Sequence, residues 1–233
     1  MQPLAMKANA LPRTQPFDRL AARYDAWFDS AEGRPIFDTE VACLADLMSP
    51  RSGRWLEVGV GTGRFAQALG VEEGVDPSGP MLAFANRRGI STREGRGEDL
   101  PYPDSCFDGV LLVVTLCFLT DPERALRECT RVLREGGRLV VGFVPSESQW
   151  GRLYAHKGGS GHPFYSVARF FRPDQVVEMA AAAGLRLGRA SSCLFSPPGV
   201  AVDASRRPGI VAGAGFVALE FMRPSCSNTT GKR

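Results

Sequence analysis

Three glycines two residues apart, Gly59, Gly61 and Gly63, follow Glu57 at the end of a short apolar run, Trp55 to Val58. A helical pattern opens at once at Arg64. Glycine lets the backbone turn sharply and approach a ligand closely. The helix that follows aims its free N–H groups into the turn. Such a turn cradles a nucleotide cofactor, and two cofactor classes use it. The dinucleotide fingerprint G-x-G-x-x-G sets its third glycine one position later than this chain does. Arg64 fills that position and would crowd a pyrophosphate, while Glu57 would place negative charge beside it. The pattern suits a cofactor that carries positive charge. One strand later comes a second acid, Asp76, followed by Pro77 and a helix opening at Pro80, Met81 and Leu82. An acid at the tip of the second strand can accept hydrogen bonds from both hydroxyls of a ribose.

The run E-x-G-x-G-x-G resembles the first motif of class I S-adenosylmethionine-dependent methyltransferases, whose cofactor carries a sulfonium and an ammonium. Gly95 to Asp108, with Glu98-Asp99-Leu100-Pro101-Tyr102 inside it, resembles the adenine-binding loop of the small ubiquinone and menaquinone C-methylating (type 11) family. Asp121 to Leu126 and Arg131 to Val141 continue the likeness. The resemblance implies S-adenosylmethionine as cofactor. It implies a binding set of Glu57, Gly59, Gly61, Thr62 and Gly63 at the turn. Asp76 and Pro77 would lie at the ribose, Met81 against the adenine, and Gly97 and Glu98 at the adenine edge. Thr115 would stand at the end of the fourth strand, where donor methyl meets acceptor. Tyr24, from an aromatic helix over residues 17–28, would reach the methionine carboxylate. Arg96 departs from the pattern, standing where the family has an Asp against the adenine amino group.

The acceptor side is less sharply written. Leu116, Cys117 and Phe118 end the fourth strand without a base. Both histidines, His156 and His162, lie in an insert over residues 145–171, either side of a glycine cluster and beside Tyr154. Loops of that length inside a compact domain are often lids. Histidine can take a proton near neutral pH, so His156, His162 and Tyr154 are the candidate catalytic groups. A methyl group on sulfonium is already activated, and the protein mainly aligns the partners and excludes water. The expected activity is in-line transfer of that methyl to a small-molecule acceptor, with carbon, oxygen, nitrogen, sulfur and metalloid acceptors all open. A non-enzymatic cofactor-binding relative and a nucleotide-dependent oxidoreductase are the rival readings.

These residues need a scaffold, and the pattern supplies one. Strands are expected near 54–58, 73–76, 91–94, 108–115, 138–144, 185–194 and 214–222, alternating with helices. That alternation predicts a doubly wound α/β fold, a Rossmann-like and mostly parallel sheet of seven strands with helices on both faces. Asp121, Pro122 and Gly136 read as cap, first turn and stop of one helix. One methyltransferase domain is expected over 17–222, with a loose start at 1–16 and a disordered tail at 223–233. A further segment, 195–213, either closes the acceptor pocket or is a surface loop.

A chain of 233 residues with a net charge of +3 offers no basic bank for nucleic acid. The six cysteines (Cys43, Cys106, Cys117, Cys129, Cys193 and Cys226) form no C-x-x-C pair and have no histidine cluster. No metal site is expected from them. Cysteines in apolar runs suit a reducing cytoplasm. The longest apolar stretch, Val110 to Leu119, is short of the roughly 20 residues a bilayer span needs, so no membrane insertion is expected.

Overall fold

Strand β1 (Trp55–Val58) is the centre from which the sheet is wound. In the computed structural model, which describes residues 15–225, it pairs in parallel with β2 (Glu73–Asp76) on one side and β4 (Phe107–Val113) on the other. Outside these lie β3 (Ser91–Glu94) and β5 (Leu133–Phe143), also parallel. Antiparallel strands complete the sheet: β8 (Phe216–Met222) against β5, β6 (Arg186–Cys193) against β8, and β7 (Arg207–Pro208) at the edge. The order is β3-β2-β1-β4-β5-β8-β6-β7. The expected doubly wound, mostly parallel fold is present with eight strands rather than seven. The extra strand is a two-residue pairing of Arg207–Pro208 with Ser191 and Ser192. A pairing so short leaves no alternation in the sequence.

The central strands are buried on both faces, which is why they read as continuous apolar runs. Leu56, Val58, Val110 and Leu112 point to one layer, covered by α5 (Pro122–Val132) and α7 (Pro173–Ala182). Trp55, Leu111 and Val113 point to the other. That layer is covered by α2 (Gly33–Met48), α3 (Arg64–Leu69) and α4 (Gly79–Arg87). Sequence reading passed over α2. Its stripe of Ile36, Phe37, Cys43, Leu44, Leu47 and Met48 is nevertheless a helical period.

The aromatic helix forms as expected, as α1 (Gln15–Trp27), with a kink at Leu20. Asp121 caps α5 through Arg124 N–H at 2.9 Å. The helix stops at Val132, not at Gly136. Gly136 instead turns inside β5 at φ +72°, and its N–H meets Arg223 O at 2.9 Å. Arg223, read as the start of a tail, is thereby fixed to the sheet, and its N–H returns to Gly137 O at 2.9 Å. Residues 1–14 and 226–233, with Cys226, lie outside the described residues. No helix among the described residues is long and apolar enough to cross a membrane.

Residues 145–171 fold as α6 (Gln149–Gly159) and a short 3-10 turn, Tyr165–Val167. Ser148 caps α6 through Gly151 N–H at 2.9 Å. Segment 195–213 is mostly exposed and carries the edge strand β7. It is a surface loop that touches the core where Trp150 Nε1 donates to Ser196 O.

Candidate active site

A cleft of about 920 Å³, counting its open mouth, lies at the carboxyl ends of β1, β2 and β4. That edge is where open α/β sheets bind ligands. Its floor is the turn after β1. Gly59, Gly61 and Gly63 all have positive φ, +73°, +52° and +81°. A side chain at Gly59 would strike Thr115, and one at Gly63 would come within 2.9 Å of Ala85 Cα. Gly61 differs: a Cβ there meets nothing within 4 Å. The first and third glycines serve packing, and the second is open to the cleft.

Two carboxyls face this turn. Glu57 is 1 % exposed, and its Oε2 has no hydrogen-bond partner. Burial, reinforced by the charge of Asp76, holds its carboxyl well above the usual carboxylate range. Asp76 accepts from Gly61 N–H at 3.0 Å and Ser78 N–H at 2.9 Å. Burial outweighs both bonds and pushes it up to about 6. Each oxygen keeps a free lone pair. Ser78 caps α4 at Met81 N–H, which sets the buried Met81 into the wall next to Pro77.

The far wall is the loop after β3. Arg96, Gly97 and Glu98 line it. Glu98 Oε1 accepts from Thr120 N–H at 2.8 Å and Asp121 N–H at 3.3 Å. Against the cost of burial, these bonds and Arg96 hold it below its ordinary value. Arg96 reaches Glu98 at 3.4 Å and Thr120 Oγ1 at 3.1 Å. Its place in the loop is therefore to brace it. Thr115 lines the cleft, but its hydroxyl is engaged with Val113 O at 2.9 Å and Gly59 O at 3.3 Å. Beside it Val114 sits at φ +48°, strained for a β-branched residue, which sequence reading did not foresee.

Helix α1 is the roof: Phe17 and Tyr24 face the cleft from it, and Phe28 from the residue that follows its end. Burial, with Tyr165, Cys117, Asp76 and Glu40 nearby, drives the Tyr24 phenol far above its usual range. The roof is held by an ion cluster that sequence reading missed. Arg64 grips Asp25 with Nε and Nη2, both at 3.0 Å. Arg88, just past α4, reaches the same carboxylate at 2.9 Å and Thr62 O at 2.9 Å. Arg64 thus ties the roof to the glycine turn. The only sequence signal was one acid after Tyr24 and two arginines far along the chain.

The three candidate catalytic groups lie outside the cleft lining. His156 is exposed on α6. His162 stacks on Tyr165 at 4.5 Å, and burial followed by Lys157 and Arg23 lowers its basicity. Tyr154 stacks on the same ring, Tyr165, at 4.4 Å. The structure gathers eleven of the twelve predicted cofactor residues, Gly97 and Glu98 among them, around one space; the exception is Gly63, which packs beneath the turn.

The comparisons with known proteins agree with this geometry. The family described as a methyltransferase domain matches residues 56–141. A crystal structure of a S-adenosylmethionine-dependent methyltransferase from Thermotoga maritima superposes with a TM-score of 0.83 and 35% identity, covering 91% of this chain and 99% of that one. The chain belongs to the S-adenosylmethionine-dependent methyltransferases. An uncharacterised protein of Mycobacterium tuberculosis is 45% identical to this methyltransferase over 90% of the chain and 74% of its own length. A demethylmenaquinone methyltransferase of Thermotoga maritima is 28% identical, over 70% of this chain and 83% of its own. The nucleotide-dependent oxidoreductase and the non-enzymatic relative give way to this assignment.

Proposed function

We propose that this methyltransferase binds S-adenosylmethionine in the cleft and transfers its methyl group in line to a small-molecule acceptor. The observation that carries the reading is the buried Glu57 carboxyl with an orphaned oxygen, beside a glycine whose missing side chain leaves the cleft open. An unpartnered buried acid fits a cationic ligand and opposes a diphosphate. The cofactor would supply a methyl group already activated on a sulfonium. Glu57 and Tyr24 would hold its amino-acid end. Asp76 and Pro77 would hold the ribose, Met81 the adenine face, and Gly97 with Glu98 the adenine edge. Gly59, Gly61, Gly63, Thr62 and Thr115 shape the turn. The small-molecule acceptor is supported by relatives: one is a demethylmenaquinone methyltransferase, and the Thermotoga structure is described as a possible histamine N-methyltransferase. Residues 145–171 would act as a lid over the acceptor side. His156, His162 and Tyr154 keep a catalytic part only if that segment moves inward.

Calorimetric titration with S-adenosylmethionine, S-adenosylhomocysteine and NADH tests the reading. Micromolar binding of the first two alone is expected, and binding of NADH alone overturns it.

The raised Asp76 adds a pH dependence. Asp76, at about 6 in the free protein, accepts fully only when ionised. Its protonation below that pH competes with ribose binding. S-adenosylmethionine should therefore bind about tenfold more weakly at pH 5 than at pH 7. Affinity that stays flat across this range removes Asp76 from the site.

A further inference from the structure

The loop after β3 meets the cleft with an arginine that has a donor to spare. Asp99 N–H closes this loop on Arg96 O at 3.1 Å. Gly97 lies close on the end of β1: a Cβ there would come within 3.2 Å of Val58 and 3.1 Å of Leu119. Arg96 and Glu98 are held on either side of that contact. The Arg96 side chain is 52 % exposed, and the residue lines the cleft. Its Nη2 donates to Thr120 Oγ1 at 3.1 Å, and its Nε faces Glu98 Oε2 at 3.4 Å. These two contacts brace the loop. The other terminal amino group, Nη1, has no acceptor among the described residues.

The side-chain acceptors of the same wall are turned into the protein. Glu98 Oε1 takes the N–H groups of Thr120 and Asp121, while Oε2 faces Arg96. Thr120 Oγ1 takes Arg96. Asp121 Oδ1 takes Arg124 N–H as the cap of α5. What remains for a ligand is the edge of a guanidinium, which donates and cannot accept.

Topology brings the cofactor's base to that edge. The strands cross the cleft in the order β3-β2-β1-β4. On the cofactor reading above, the amino-acid end lies at Glu57 on β1 and the ribose at Asp76 on β2. The base then falls toward β3, where the loop carrying Arg96 meets it. Adenine presents an amino donor beside its N7 acceptor, a pair that an amide side chain matches. A 6-oxopurine presents two acceptors, O6 and N7, which an arginine fork matches. Resting on that cofactor reading, we propose that Arg96 sets the base specificity of this methyltransferase, and that the cleft takes a 6-oxopurine nucleoside at least as tightly as the adenine one.

The test is calorimetric titration of the full chain with S-adenosylhomocysteine and with S-inosylhomocysteine, which differs in carrying a carbonyl oxygen in place of the adenine amino group. Wild type should bind S-inosylhomocysteine at least as tightly. Arg96→Asp exchanges donors for acceptors, and should swing the ratio of the two dissociation constants toward the adenine compound by at least about 30-fold. The ratio separates base reading from bracing, since a loosened loop weakens both ligands alike and leaves it unmoved. If Arg96→Asp binds neither compound, Arg96→Ala supplies the ratio, with a swing of at least about fivefold in the same direction. A wild type that prefers S-adenosylhomocysteine overturns the proposal, and so does a variant that keeps the wild-type ratio. A wild type that binds neither compound overturns the cofactor reading and takes this proposal with it.

Discussion

Gly61→Trp is expected to give a folded protein that no longer binds S-adenosylmethionine at micromolar concentration. The two effects of the substitution separate cleanly. Gly61 has φ +52°, so any side chain there carries a backbone cost of roughly 1–2 kcal/mol. Nothing lies within 4 Å of the Cβ it would gain, so the protein itself meets no clash. The indole must then project into the cleft between Glu57 and Asp76, where a cofactor's chain would run. Affinity should fall at least about 100-fold, or about 2.7 kcal/mol. Gly63→Ala is the control. Its new methyl comes within 2.9 Å of Ala85 Cα, a backbone atom of α4 that cannot swing aside. That variant should lose stability first and binding only as a consequence. Calorimetry and thermal melts on both variants decide the matter, and a Gly61→Trp protein of unaltered affinity would remove the glycine turn from the site.

The cofactor side was legible because its residues are local. Glu57, the three glycines and Asp76 fall within 20 residues and on two adjacent strands, so spacing alone places them together. The central strands were legible because burial on both faces leaves unbroken apolar runs, such as Val110 to Val113. The edge strand β7 was not, because two residues cannot show a period. The α5 boundary shifted because Leu133 continues the helix's apolar face while its backbone already belongs to β5. The acceptor side failed for a different reason. His156 and His162 were chosen by residue type, which says what a side chain can do and not where the chain carries it. Arg64 was noticed for what it would exclude, and its partner 39 residues earlier could be found only in three dimensions.

That partner gives the second large effect. Asp25 is 7 % exposed and lies between two guanidiniums, Arg64 at 3.0 Å and Arg88 at 2.9 Å. Replacing it with Ala leaves Arg88 facing Arg64 without the anion between them, at a cost of about 3 kcal/mol. The loss falls on the roof. Phe17 and Tyr24 face the cleft from α1, which Asp25 ties to α3 and to the end of α4. Asp25→Ala should therefore lower both the melting temperature and S-adenosylmethionine affinity, though Asp25 itself does not line the cleft. The pH dependence identifies the cause. Burial works against ionising Asp25, but the hydrogen bonds from Arg64 and Arg88 prevail and hold it at about 2. A carboxyl lowered in the fold stabilises above its unfolded value of 3.8 and loses that contribution as pH falls through about 2. The shift is worth about 2 kcal/mol. Wild type and Asp25→Asn should thus differ by that amount at pH 5 and converge as pH approaches 2. If the gap persists unchanged in acid, the roof is held by α1's aromatic packing rather than by the ion cluster, and Arg64 returns to being an arginine that merely occupies the sixth position of the turn.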